Sequence, residues 1–167
     1  MKLLFILVLV VVSVMAQENI YAIKGGLLAH STGPLSSGKE SGVDINVEVL
    51  FMDELLKGHL SVGADVNTNA DTSFVYSGLS WEGKFYKYIH LGAFFGLGLH
   101  NGDLDKSGSE KRQLGTRVVF REALEIGLYL KEDISVSFMY DHYSNAGLAG
   151  KRNQGNDNLG LRLSYYF

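Results

Sequence analysis

The sequence predicts an all-β fold, an eight-stranded antiparallel transmembrane β-barrel. Eight successive segments alternate apolar with polar residues, which is the period of a strand with one apolar face. The chain contains 20 Gly, one Pro and nine Tyr, a composition typical of short strands, tight turns and an aromatic belt. Beyond the amino-terminal region, no apolar run approaches the roughly 20 residues that a membrane-spanning helix needs.

The amino-terminal residues have the pattern of a secretory signal peptide. Lys2 is followed by an uncharged apolar run from Leu3 to Val12, and small residues lead up to Ala16. A basic start, a short apolar core and a small-residue cleavage site define such a peptide, and an uncleaved anchor would require a longer run. We expect residues 1–16 to be the signal peptide and residues 17–167 to form the outer-membrane barrel domain.

Each of the eight predicted strands has an apolar face. The segments are about 20–30, 42–52, 58–67, 72–85, 88–100, 114–130, 133–144 and 157–167. In chain order, representative apolar residues are Ile23, Val47, Val62, Leu79, Leu97, Ile126, Phe138 and Leu161. Each segment is long enough for a tilted membrane strand of about 9–11 residues. A succession of eight such segments indicates a barrel whose apolar face is turned outward.

The opposite faces carry charges of both signs. The predicted inward residues are Lys24, Asp44, Glu48, Asp65, Glu82, Arg117, Arg121, Glu125, Asp141 and Arg162. An eight-stranded barrel leaves room for side chains only, so we expect these charges to fill the interior and to leave no wide pore. Glu122 departs from the pattern by facing outward, unless a bulge re-aims it.

The lengths of the connections predict how the barrel is oriented. Connections 31–41, 101–113 and 144–156 are long, whereas 53–57, 84–87 and 131–133 are short. Outer-membrane barrels have short periplasmic turns and longer external loops, so both termini should face the periplasm. The chain also stops on an aromatic residue, Phe167, which resembles the assembly signal of bacterial outer-membrane barrels.

A histidine and a serine lie together at the outer end of the seventh strand. His142 and Ser144 are two residues apart, so both point to the apolar face of the strand. An imidazole beside a hydroxyl is half of a nucleophilic hydrolase. Because the apolar face meets lipid, the expected substrate is a lipid of the outer leaflet, which in such membranes is lipopolysaccharide.

The residues around this pair resemble a known family. The run from His142 to Gly147, followed by Asn153 and Gly155, resembles the C-terminal signature of the lipid A 3-O-deacylases. The resemblance implies an outer-membrane serine esterase that removes the ester-linked 3-hydroxyacyl chain at position 3 of lipid A. It also implies that His142 is the general base and Ser144 the nucleophile.

The third member of the expected triad differs from the family pattern. The family implies a glutamate about a dozen residues after the serine, but the only carboxylate after Ser144 is Asp157. The parity of Asp157 in the eighth strand would place it outward, beside His142. Asp157 is therefore our hypothesis for the orienting acid, and Asn156 or Asn158 would supply a weaker hydrogen bond if that hypothesis fails.

The loop after Ser144 is the candidate oxyanion site. We expect the backbone amides of Asn145 and Gly147 to stabilise the tetrahedral intermediate, while Asn153 and Gly155 shape the loop. Lys151 and Arg152 either pair with phosphates or sugars of lipid A or are simply solvated.

Composition narrows the remaining functions. The absence of Cys excludes disulfides and thiolate metal sites, and a net charge of −3 argues against nucleic acid as a partner. The inward histidines, His30, His59, His90 and His100, lack metal-site spacing, so neither a metal nor a cofactor is expected.

The predicted partners are lipopolysaccharide and outer-membrane lipids, with the chain a monomer or a homodimer. A non-catalytic structural or adhesive barrel, or another lipid esterase or acyltransferase, remains the alternative.

Overall fold

Eight antiparallel strands form a closed barrel in the computed structural model, which describes residues 19–36, 40–104, 111–148 and 153–167. Each strand pairs with its neighbours in sequence, and the last strand pairs with the first. The strands are β1 (Ile20–Ala29), β2 (Val43–Leu55), β3 (Gly58–Asn67), β4 (Phe74–Phe85), β5 (Ile89–His100), β6 (Val118–Tyr129), β7 (Ile134–Ser144) and β8 (Asn156–Tyr166). The predicted fold class is confirmed. The predicted signal peptide, residues 1–16, lies outside the described residues.

The outer wall of the barrel is apolar, as alternation along each strand requires. On β6, Leu124, Ile126 and Leu128 are 63%, 59% and 53% exposed. The alternate residues Ala123 and Glu125 are buried and point into the barrel. Exposure of large apolar side chains on every strand matches a wall that is solvated by lipid. In the part of the chain that the structure describes, no helix is long and apolar enough to cross a membrane.

Ion pairs fill the middle of the barrel. Lys24 Nζ lies 2.5 Å from Glu82 Oε1, and the Arg162 guanidinium bridges Glu48 and Glu125 at 2.7 and 2.8 Å. The paired charges are all almost fully buried, so each depends on its partner to offset the cost of leaving water. The interior is therefore packed with side chains, as predicted for a barrel of this size.

Two details of the predicted strands are corrected. The sixth strand begins at Val118 rather than near residue 114, so Arg117 precedes it, is exposed, and does not point into the barrel. The Arg117 guanidinium instead donates to the carbonyl oxygens of His100 and Gly102. The second strand is longer than predicted and reaches Leu55, because it pairs with Gly58 across a two-residue turn.

The long connections cover one end of the barrel, here called the outer end. The connection between β5 and β6 reaches across to the one between β7 and β8, where Gln154 N donates to Gln113 O at 3.1 Å. Leu114 of the first connection is fully buried, and its carbonyl accepts a hydrogen bond from Asn145 Nδ2 at 2.9 Å. These contacts pack the loops onto the outer end of β7, where His142 and Ser144 lie.

Candidate active site

His142 and Ser144 share one face of β7 at the outer end of the barrel. The alternation of β7 places Ser137, Asp141 and Tyr143 inward and therefore turns His142 and Ser144 outward. The side chain of His142 is 16% exposed, and Ser144 is 7% exposed because the following loop covers it. Within the described residues, the Ser144 hydroxyl is contacted by Ala146 N–H at 3.3 Å, and no hydrogen bond joins it to His142.

Asp157 lies directly opposite His142 in the pairing of β7 with β8. Its Oδ1 is 2.5 Å from His142 Nδ1, and its side chain is fully buried. An acceptor at Nδ1 leaves Nε2 as the ring nitrogen that can take a proton from a hydroxyl. A carboxylate at Nδ1 is the partner that orients a histidine in hydrolase triads, and here that carboxylate belongs to an aspartate.

The connection between β1 and β2 holds Asp157 from the side away from His142. Leu35 N donates to Asp157 Oδ2 at 2.5 Å, and Ser36 Oγ accepts from Asp157 N at 2.6 Å. Thr32 N donates to the Asp157 carbonyl at 3.0 Å. Each carboxylate oxygen of Asp157 thus has its own partner, one the imidazole and the other a backbone amide.

Two glycines allow the backbone to approach this acid–base pair closely. A Cβ on Gly33 would lie 2.3 Å from Asp157 Cβ. Gly155 has a positive φ of 57°, and a Cβ there would lie 2.9 Å from Leu35 O and 3.2 Å from His142 Cε1. Any larger residue at either position would therefore push the loop away from the pair, because interiors have little free space.

The predicted oxyanion amides already have acceptors in this structure. Asn145 N donates to Asn153 Oδ1 at 3.1 Å, and Gly147 N donates to Asn145 Oδ1 at 2.8 Å. The turn is set by positive φ at Ala146 and Gly147, which keeps these groups beside Ser144. The hydrogen bond from Asn145 N to Asn153 Oδ1 fixes the carboxamide of Asn153 close to Ser144, the candidate nucleophile.

Glu122 flanks His142 on the side opposite Asp157. It pairs directly with His142 across β6 and β7, and the pairing runs without interruption from Phe120 to Tyr129. No bulge turns Glu122 inward, and its side chain is exposed on the outer wall. This leaves a carboxylate exposed on the outer wall, one strand from the imidazole.

An apolar groove of about 630 Å³ lies on the outer wall beneath this row of residues. It spans β4 to β7, and the small residues Gly83 and Ala93 contribute to its lining. The larger residues along it are Trp81, Leu91, Leu124, Ile126, Phe138 and Tyr140. Tyr140 is the next outward residue to His142 along β7, so the groove starts one outward position from the candidate site and extends toward the short turn between β4 and β5.

A buried charge cluster joins the loops above the site. Glu40 accepts from Arg112 N at 2.9 Å and lies 3.1 Å from His30 Nε2, while His30 Nδ1 lies 2.8 Å from Asp44. Burial alone would lower the pKa of His30, but the hydrogen bonds of its imidazole to Asp44 and Glu40 raise that pKa to about 9. Hydrogen bonds from His30 and Thr72 overcome burial and lower the pKa of Glu40 to about 2.

The contacts of Leu35, Ser36, Arg112 and Glu40 with this region had no signal in the sequence. These residues lie in long connections, where neither spacing nor alternation indicates a spatial neighbour. Lys151 and Arg152, for which the sequence left both lipid A contacts and simple solvation open, lie outside the described residues. In the described part of the chain, no cluster of three or more His, Asp or Glu side chains could hold a metal ion.

A family model described as "Lipid A 3-O-deacylase (PagL)" matches residues 39–166, most of the chain. The chain belongs to the lipid A 3-O-deacylase (PagL) family. As a member of this family with an eight-stranded barrel, it is an outer-membrane protein of the hydrolase class, and lipid A is the substrate that the family acts on.

Solved structures support the barrel fold of this PagL-family protein. The crystal structure of the outer membrane enzyme PagL is similar with a TM-score of 0.63 and 18% identity, covering 87% of this chain and 99% of that one. Neisserial surface protein A (NspA) gives a TM-score of 0.54 at 14% identity, covering 89% and 97% of the two chains. A designed transmembrane β-barrel gives 0.55 at 9% identity, covering 91% and 100%. Comparison with curated protein sequences finds no significant match.

Proposed function

We propose that this protein is a serine esterase that removes the ester-linked 3-hydroxyacyl chain at position 3 of lipid A. The observation that carries the proposal is the bond between His142 Nδ1 and Asp157 Oδ1, with Ser144 beside His142 on the outer wall. A base with an orienting acid and a neighbouring hydroxyl is the arrangement that activates a serine nucleophile. Its position at the outer end of the wall matches a substrate in the outer leaflet.

The reaction begins when Ser144 Oγ attacks the ester carbonyl and His142 Nε2 takes the serine proton. The tetrahedral intermediate collapses as His142 passes that proton to the departing sugar oxygen, which leaves a free 3-hydroxyl on lipid A. Water then attacks the acyl-enzyme with His142 again as base, and a 3-hydroxy fatty acid is released. Asp157 stays ionised throughout and stabilises the imidazolium that forms twice in each cycle.

His142 Nε2 and Ser144 Oγ must come into hydrogen-bond contact for this chemistry. In the substrate-free arrangement, the Ser144 hydroxyl is held by Ala146 N–H at 3.3 Å. A rotation of the Ser144 side chain brings Oγ toward His142, since the two residues share one face of β7. Such bonds commonly tighten only when the substrate is bound.

Asn145, Gly147 and Asn153 are proposed to form the oxyanion site. The Asn153 carboxamide is anchored through its Oδ1 by Asn145 N–H, which leaves its Nδ2 group as a donor beside Ser144. The backbone amides of Asn145 and Gly147 would contribute after giving up their present acceptors. Removing one such donor typically costs about 10²–10³-fold in kcat.

The apolar groove is proposed to receive the acyl chain that is removed. It begins next to His142 at Tyr140 and is lined almost entirely by apolar side chains. Glu122, exposed beside His142, is then within the polar part of the bound lipid and can accept a hydrogen bond from it. Retaining a carboxylate on a lipid-facing wall is costly, and such residues are usually functional.

A serine-reactive fluorophosphonate tests whether the site is an esterase. We expect the refolded barrel to be labelled at Ser144, and Ser144→Ala and Asp157→Asn to remove or strongly slow the labelling. Ser164, which faces the interior on β8, provides the matched control, because Ser164→Ala leaves the site intact. Absence of labelling in a folded barrel would favour a non-catalytic surface protein, and a released acyl chain other than a 3-hydroxyacyl group would favour another lipid esterase.

A further inference from the structure

The buried side chain of Arg112 connects the two chain segments that contact His142 and Asp157. Arg112 is 1% exposed and lies in the connection between β5 and β6. Its Nη1 donates to the Gly155 carbonyl, and its Nη2 donates to Ser31 Oγ. Gly155 leads directly into β8 and Asp157, and Ser31 begins the connection that carries Leu35 and Ser36.

Both segments are in contact with the acid–base pair. Gly155 lies against the imidazole, since a Cβ there would be 3.2 Å from His142 Cε1. The connection that starts at Ser31 places Leu35 N 2.5 Å from Asp157 Oδ2. A guanidinium that binds one acceptor in each segment therefore fixes the distance between the two segments that contact His142 and Asp157.

Glu40 orients the arginine. Its carboxylate accepts from Arg112 N at 2.9 Å and from Arg112 Nε at 3.4 Å. Thr72 Oγ1 and His30 Nε2 contact the same carboxylate at 2.6 and 3.1 Å. The Arg112 side chain is thus held at its base by Glu40, and the far end of the guanidinium is directed at Gly155 and Ser31.

We propose that Arg112 is a positioning residue for ester hydrolysis, acting through Gly155 and Ser31 to keep Asp157 in contact with His142. The inference rests on the proposed function. Arg112 is assigned a role through these two segments and no contact with substrate. Its loss lets the two segments separate, which lengthens the bond between Asp157 and His142, and a displacement of about 1 Å can cost on the order of 100-fold in rate.

The steady-state kinetics of the full refolded barrel, with lipid A in mixed micelles, test this proposal. For Arg112→Gln we expect kcat to fall about 10–100-fold while KM changes less than about twofold, because orientation and not binding is lost. Arg112→Lys should be intermediate, since an ammonium cannot bind both acceptors with the geometry of a guanidinium. Arg117→Gln is the control and should retain wild-type kinetics. Arg117 lies in the same connection, but it is exposed and donates to the carbonyl oxygen of His100 and not to the segments at the site.

A double-mutant cycle with Asp157→Asn separates positioning from general stability. If Arg112 acts through Asp157, the variant with both substitutions loses no more activity than Asp157→Asn alone. If the fold-losses in kcat of the two single variants multiply in the double variant, the proposal is overturned. An unchanged kcat in a folded Arg112→Gln barrel would also overturn it. Should Arg112→Gln fail to fold, Ser31→Ala removes one acceptor of the arginine and is expected to lower kcat severalfold at constant KM, and an unchanged kcat there would also overturn the proposal.

The wild type and Ser144→Ala are measured alongside these variants. If neither hydrolyses lipid A, the proposed function itself has failed. If the wild type is active, Ser144→Ala is inactive and Arg112→Gln matches the wild type, the esterase is correct and only the role of Arg112 is wrong.

Discussion

The imidazole of His142 and the carboxylate of Asp157 face each other across paired strands, with 2.5 Å between Nδ1 and Oδ1. Directly paired residues in antiparallel strands have Cβ atoms about 4.5–5.5 Å apart. At that separation an aspartate is long enough to reach the imidazole. The register of β7 with β8 therefore explains how an aspartate contacts His142, and we propose that it takes the role for which the family resemblance implies a glutamate.

Asp157→Asn should abolish most of the activity. An amide can present the wrong atom to His142 Nδ1 and cannot stabilise the imidazolium, and loss of the orienting acid costs up to about 10⁴-fold in kcat in a comparable triad. Asp157→Glu should be less active than the wild type, because Gly33 and Leu35 leave no space for a longer side chain. Measured kcat values for the two variants check this, and a fully active Asp157→Asn would remove Asp157 from the mechanism.

The strands and the acid–base pair could be predicted from alternation, whereas the support around them could not. Parity alone placed His142 and Ser144 on one face and aligned Asp157 with them, since every side chain of a strand is assigned by its period of two. The loop contacts around the site join residues that are far apart in the sequence. Leu35 and Asp157 are 122 positions apart, and Glu40 and Arg112 are 72 positions apart. No local pattern encodes such contacts.

The inward direction predicted for Arg117 is wrong for a related reason, because Arg117 lies in a connection and not in a strand. The alternation around residues 114–118 extends into a loop, so parity assigned an inward direction to a residue that precedes the strand. Glu122 shows the opposite situation, because the pattern placed it outward against expectation for a charged residue, and the uninterrupted pairing with β7 keeps it there.

Asn153 provides a test that separates oxyanion stabilisation from loop support. Asn153→Asp keeps an oxygen to accept from Asn145 N–H but removes the Nδ2 donor, whereas Asn153→Ala removes both. If Nδ2 binds the oxyanion, both variants should lose about 10²–10³-fold in kcat. Wild-type kcat in Asn153→Asp together with a loss in Asn153→Ala would instead assign Asn153 to the loop.

Glu122→Gln should weaken recognition of the lipid without affecting the fold. A hydrogen bond to a charged group contributes about 1.5–3 kcal/mol, so kcat/KM should fall about 10-fold or more. Glu54, 57% exposed at the opposite end of the barrel, supplies the control variant Glu54→Gln. Equal kcat/KM values for Glu122→Gln and the wild type would show that the substrate does not use this carboxylate.

The loops at the outer end should lose stability as pH rises toward 9. The pKa of His30 is raised from 6.5 to about 9, so its stabilising effect is complete below pH 6.5 and disappears as pH passes through 9. The shift corresponds to roughly 3 kcal/mol. The lowered pKa of Glu40, about 2, makes its contribution complete above pH 4.5 and lost only in strong acid.

Thermal unfolding between pH 6 and 9.5 measures this effect. The wild type should lose stability steadily above pH 6.5, and His30→Asn should be less stable at pH 6 and nearly independent of pH over the same range. His59→Asn, at the other end of the barrel, should keep the wild-type slope. A His30→Asn barrel with the wild-type slope would show that other groups control the pH dependence.

The most direct test of the proposed esterase is mass spectrometry of lipid A after incubation with the refolded barrel, wild type against Ser144→Ala. The wild type should remove one 3-hydroxyacyl group and release the matching 3-hydroxy fatty acid, and Ser144→Ala should leave lipid A intact. Unchanged lipid A with a folded wild-type barrel, or equal deacylation by Ser144→Ala, would contradict the proposed nucleophile and reaction.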